Sequence, residues 1–163
     1  MKNFISLILL LSVFNLYAQI DTSGIEIYEV KTTYKQISKK QKDSCNYCID
    51  TSIIKLSKQP LINQKDILSF DWKNQKITLT KEAKTRINQI TIPIQGKPMA
   101  LTLNGEIIYT FWFWNSVSSQ GCDRVYSFPK MDFSLKFGLP SSFTIGTDPR
   151  FNNKLKKFVE CKN

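Results

Sequence analysis

The sequence predicts an α+β domain: a mostly antiparallel sheet with a helix packed on one face, plus a disulfide-stapled C-terminal helix. Three observations point there. Asn104-Gly105 separates two apolar, β-rich runs, the strongest short hairpin signal because both turn residues must tolerate positive φ. Ala83, Ile87 and Ile90 recur at helical spacing just before that hairpin, forming one apolar stripe. Strand-type and helix-type patterns are interspersed along the rest of the chain.

The chain opens with the order of a secretory signal peptide. Met1-Lys-Asn is basic, Phe4 to Phe14 is an apolar run of 11 residues, and Asn15-Leu-Tyr-Ala18 ends in a small residue. That run is shorter than the roughly 20 residues a membrane-spanning helix needs. Cleavage is expected after Ala18, with residues 19–163 forming a single exported domain. The residue after the cleavage point is Gln19 and not Cys, so no lipoprotein anchor is expected, and no later stretch is long and apolar enough to cross a membrane. Removal of 18 of the 163 residues leaves 145, enough to bury a core without help.

In chain order, Ile25 to Val30 alternates as a half-buried strand, with Ile25 and Ile27 inward. Thr32 to Thr51 is polar, lysine-rich and loop-like; Ile53 to Leu56 has strand character. Asn63 is placed to cap a short helical turn, with Asp66 near its positive end. Ile67 to Trp72 reads as a strand and Lys73 to Lys76 as a turn. Ile77 to Thr80 is a further strand, and Thr80 caps a helix from Lys81 to about Ile92, ended by Pro93. Met99 to Leu103 and Glu106 to Trp114 form the hairpin. On its second strand Ile107, Tyr109, Phe111 and Phe113 point one way, and Ile108, Trp112 and Trp114 the other. Two readings stay open: a strand buried on both faces, or an aromatic partner-contact surface built on Tyr109, Trp112 and Trp114. From Asn115 through Asp123 the chain reads as loop, Phe133 to Phe137 as a strand, and Leu139 to Gly146 as irregular. Asp148 then caps a terminal helix with Pro149 in its first turn and Phe151, Leu155, Phe158 and Val159 on its apolar face.

Four cysteines in an exported chain predict disulfides. The favoured pairing is Cys45–Cys48 as a local ring and Cys122–Cys161 as a long-range clasp; a crossed pairing stays open. The Cys45-Asn-Tyr-Cys48 spacing also matches a redox motif, but it sits in loop context without the helix start that lowers a thiol pKa. Zinc would need four gathered thiolates, and only one such motif exists. The absence of histidine removes Ser-His and Cys-His catalysis and histidine metal sites. Ser52-Ile-Ile-Lys55 and Ser127-Phe-Pro-Lys130 lack the helical context of a Ser-x-x-Lys enzyme. No carboxylate pair stands out, so neither enzymatic activity nor a cofactor is expected.

The formal charge of +10 falls to +9 once Lys2 leaves with the signal segment. A basic surface favours anionic partners such as acidic proteins, glycans or lipid headgroups; nucleic acid is not expected for an exported chain. Lysines cluster at Lys39-Lys40-Gln41-Lys42 and at Lys154, Lys156 and Lys157.

Several segments together resemble the first periplasmic (head) domain of the protein-export subunit SecD. They are Ile25–Val30, Pro60-Leu-Ile-Asn-Gln-Lys-Asp-Ile67, Leu79-Thr-Lys-Glu-Ala83, and Gly96-Lys-Pro-Met-Ala-Leu-Thr-Leu-Asn-Gly-Glu-Ile107. The similarity runs over about residues 25 to 114. It implies an α+β head, ferredoxin-like in part, that contacts exported polypeptide outside the membrane. The cysteine-bearing loop and the tail are additions to that pattern. The resulting expectation is an exported protein-binding module, in the manner of a chaperone-like factor or an immunity or inhibitor protein against an exported toxin or hydrolase. The alternative is an accessory protein that binds an envelope glycan or an anionic surface.

Overall fold

The computed structural model describes residues 24–32 and 45–161. The signal segment 1–18 and the lysine cluster at 39–42 lie outside the described residues. Seven strands make one sheet in the order β1-β4-β5-β6-β7-β3-β2. They are β1 Ile25–Glu29, β2 Ile67–Asp71, β3 Lys76–Leu79, β4 Lys97–Leu103, β5 Glu106–Phe113, β6 Cys122–Phe128 and β7 Asp132–Leu139. Every neighbouring pair is antiparallel except β5 and β6, which run parallel. Helix α1 spans Lys81–Gln89 and helix α2 spans Asn153–Glu160. The fold is the α+β arrangement the sequence predicts.

Local chemistry sets the boundaries. Asn104 and Gly105 both have positive φ, 52° and 80°, so the β4–β5 turn has the primed geometry that matches strand twist. The Thr80 side chain accepts from the Ala83 N–H at 3.2 Å and starts α1. The helix stops at Gln89, one turn earlier than expected. Continuing it to Pro93 would drive the proline ring into the Gln89 carbonyl, and Ile90 is already extended with ψ 143°. Asn63 and Asp66 form a reciprocal capping box around the single 3-10 turn Gln64–Asp66. Asp66 does more than cap: its carboxylate also pairs with Arg86 of α1 at 2.6 Å, and its carbonyl accepts from the Thr80 N–H. One residue therefore joins the start of β2 to both ends of the β3–α1 junction.

The sheet curls so that its two ends approach each other. Ile62, just ahead of β2, bridges to Ile27 of β1, and the Ile25 N–H donates to Gln64 Oε1 at 2.7 Å. Inside the curl lies the main apolar core. Every strand contributes to it, as do Ala83 and Ile87 of α1 and Leu155 and Val159 of α2. Phe111 and Phe113 sit at its centre with no exposed surface, stacked edge-on at 5.5 Å between centroids.

Four expectations are corrected. Ile53–Leu56 forms no strand and contributes only the bridge from Leu56 to Val30. The stretch read as loop continues into β6, whose alternation is broken by two register shifts against β7 and by Asp123, Arg124 and Ser127. Ile108 packs with the main core, because a register shift between Leu101 and Thr102 changes which side the start of β5 presents. The terminal helix starts one turn late: Asp148 caps only the 3-10 turn Pro149–Phe151, and Asn152 caps α2 by accepting from Lys154 and Leu155. Phe151 consequently stays half exposed, edge-on to Trp72 at 5.7 Å.

The disulfide clasp is also corrected. Cys45 and Cys48 are bonded, but Cys122 and Cys161 are free. Cys161 is exposed at the end of α2, which packs into the main core, whereas Cys122 is buried in a cluster with Trp112 and Trp114. The two thiols thus belong to opposite faces of the sheet, and α2 is held by apolar burial and an exposed Lys154–Glu106 ion pair rather than by a disulfide. Leu155→Ala should cost about 2–5 kcal/mol in urea denaturation, while Cys161→Ser should leave stability within about 0.5 kcal/mol.

Candidate functional site

Strand β5 sends Tyr109, Phe111 and Phe113 into the main core and Trp112 to the other face, where Trp114, the residue just past the strand, joins it. That second face is covered by the Cys45–Cys48 loop. Tyr47 stands edge-on to both indoles, 5.2 Å from Trp112 and 5.0 Å from Trp114 between centroids. Trp112 Nε1–H donates to the Tyr47 carbonyl at 2.9 Å, and the Tyr47 hydroxyl donates to Gln120 Oε1 at 3.2 Å. Gly96 lies under the same rings: with φ +82°, a Cβ there would sit 2.8 Å from Trp114 ring atoms. Trp112 and Trp114 are therefore buried in the domain's own packing, and Tyr109 is buried in the main core. As a partner-contact trio these residues are corrected, because self-cover leaves them no surface to offer.

Asp123 anchors the covering loop. Its carboxylate is fully buried and accepts the Asn46 N–H at 2.6 Å and the Tyr47 N–H at 3.1 Å. Its Oδ1 also lies 3.8 Å from Cys45 Sγ. Among its described residues the loop contains no helix start. The geometry makes Cys45–Cys48 a staple that holds Tyr47 in place. Burial pushes the Cys122 thiol up to about 12, so it stays protonated at any ordinary pH. Among the described residues no three His, Cys, Asp or Glu side chains gather as a metal site.

Two open spaces remain at the end of the sheet where β5 runs out, and they share the turn between β6 and β7. The first is a hollow of about 100 Å³ with a mixed lining: Ile92, Trp114, Phe128 and Met131 beside Asn115, Ser116 and Lys130. Asn115 Nδ2–H braces it by donating to the Ile92 carbonyl at 2.9 Å. Met131 stands at the rim 76% exposed, and Val117 and Ile94, close in sequence to lining residues, are also exposed. Trp114 Nε1–H is buried without a hydrogen-bond partner, the opposite of its neighbour Trp112. The second space holds about 300 Å³ between β3 and β7, with Lys76, Thr78, Lys84, Asn88, Lys130 and Asp132 among its lining. Asp132 is held below the usual carboxylate range by the Ser134 hydroxyl and then by Lys76, with Lys136 adding to the field. Three cations therefore line a groove with one carboxylate, already paired to Lys76 at 3.1 Å.

The sequence reading placed the aromatic residues on the right strand but missed both spaces. The available signal was Met131 next to Pro129-Lys130, a large apolar residue in a turn. The lysines of the groove come from three separate elements, so no local run marked them. No protein-family model, curated protein or solved structure matches this chain. Among the described residues no helix is long and apolar enough to cross a membrane.

Two outcomes follow from the covering loop. With a thiol reagent at pH 8, the native protein should show one reactive thiol, Cys161, and a second only after denaturation. Asp123→Ala should cost about 1–3 kcal/mol for each backbone N–H left unpaired and shift tryptophan emission to the red as the loop loosens.

Proposed function

We propose that this chain is an exported protein-binding module that engages its partner through the hollow beside Trp114. One observation carries the reading. A hollow of about 100 Å³ with Ile92, Trp114 and Phe128 in its lining stands open beside Met131, which is 76% exposed. Flexible, polarisable methionine suits a surface that closes around a partner's apolar side chain, and apolar anchors in such pockets carry most of the energy of an interface.

Export belongs to this proposal and rests on the N-terminal residue pattern together with the Cys45–Cys48 bridge, which fits an oxidising compartment. The resemblance to the SecD head belongs to it too. Its implied contact with exported polypeptide is consistent with a hollow of about 100 Å³, room for one side chain of a partner. An immunity or inhibitor role against an exported toxin or hydrolase is a form of the same reading. Binding to an anionic envelope surface through Lys154, Lys156 and Lys157 has less support, since Lys154 and Lys156 are paired with Glu106 and Glu160.

A photo-crosslinking amino acid at Met131 should yield a discrete adduct with one protein of the native envelope extract. The same group at Asn153, exposed on α2 and outside the hollow, should not. Equal labelling from both positions, or none from Met131, would remove the hollow as the contact site.

A further inference from the structure

We infer that the groove between β3 and β7 takes an extended acidic segment of the protein partner, laid along β3 with its apolar neighbour seated in the hollow. This rests on the reading that the hollow binds protein, and it names the chemistry of what binds.

The groove exists because the sheet splits. Strand β3 is paired along its length with β2, but on the β7 side its only paired residue is Lys76, opposite Ser134. Ile77, Thr78 and Leu79 have no ladder partner there among the described residues, and the strands diverge around the space of about 300 Å³. An unpaired strand edge is a template for another extended chain, and peptide recognition by strand addition uses main-chain hydrogen bonds of this kind. Only a polypeptide backbone completes a ladder, which favours a protein segment over a glycan or a lipid headgroup.

Charge complementarity sets the composition of that segment. Lys76 stands at the end of the groove where the strands still pair. Lys84 projects from α1 and forms no ion pair among the described residues. Lys130 donates to the Asn88 carbonyl at 3.0 Å, which leaves two of its three N–H groups. Only Asp132 opposes them, and Lys76 neutralises it. A neutral or basic strand would leave the Lys84 and Lys130 ammonium groups uncompensated, whereas glutamate or aspartate side chains would meet them. Because Lys130 and Met131 line both spaces, the acidic stretch and the apolar anchor must be adjacent in the partner's sequence.

The test uses the protein of residues 19–163 and a labelled hexapeptide of glutamates and leucines. A glutamine-for-glutamate counterpart and a sulfated disaccharide serve as comparisons. The acidic peptide should shift the amide resonances of Thr78, Leu79, Lys84 and Met131 in a titration followed by NMR. The glutamine peptide should bind at least about tenfold more weakly. Binding should also fall as salt rises from 0.1 to 1 M, where the screening length drops from about 10 to about 3 Å. Lys84→Glu, on an exposed helix face where folding is not at stake, should weaken the acidic peptide by several-fold without moving the melting temperature. Equal binding of the two peptides, shifts confined to other surfaces, or tighter binding of the disaccharide at the same amides would each overturn the inference. If the crosslink from Met131 survives Lys84→Glu undiminished, the acidic-segment inference fails while the binding module stands. If Met131 captures nothing, the binding module itself fails.

Discussion

Aromatic burial on both faces of β5 is the constraint on which the rest of the structure depends. Phe111 and Phe113 require a cover on one side, and Trp112 and Trp114 require another on the opposite side. A single sheet with helices on one face would satisfy only half of this. The chain solves it by curling the sheet around the phenylalanines, with α1 and α2 closing that core. A cysteine-bridged loop then lies against the indoles. Losing either cover would expose a large ring on a central strand, at a cost of several kcal/mol each.

Two carboxylates fix where those covers sit. Asp66 ties the entry to β2 to the β3–α1 junction, through a cap, an ion pair with Arg86 and its own carbonyl. Asp123 does the matching work on the other face, gripping two backbone N–H groups of the covering loop from a buried position in β6. In both cases an acceptor-only group satisfies donors that a turn would otherwise leave unpaired. The disulfide adds to this second anchor, since it closes the loop that presents Tyr47.

The unfilled parts of the fold lie where this scheme stops. The loop that covers Trp112 hydrogen-bonds its indole N–H, yet the indole N–H of Trp114, two residues later, is left without a partner beside the open hollow. Likewise β3 and β7 pair at one end and part at the other. Both gaps meet at the Phe128–Met131 turn, so the two spaces are continuous, with Trp114 and Met131 at one end and lysines at the other.

Local patterns in the sequence determined the hairpin, the Thr80 cap, the Asn63 cap and the two-faced character of β5. Each of these depends on the φ of a residue or on spacing within a few positions. The same logic identified Cys45–Cys48, since a three-residue separation needs no knowledge of the fold. It failed at the start of β6, which lies between a parallel neighbour and an antiparallel one and whose alternation is broken by charged residues and register shifts. It failed again for Cys122 and Cys161, because which side of a sheet a residue occupies follows from the whole path of the chain. Tertiary structure alone decided that the tryptophans are covered, that the covering group is Tyr47, and that three lysines from separate elements face one groove. Burial and charge at a site are sums over neighbours distant in sequence, and only the folded arrangement supplies those neighbours.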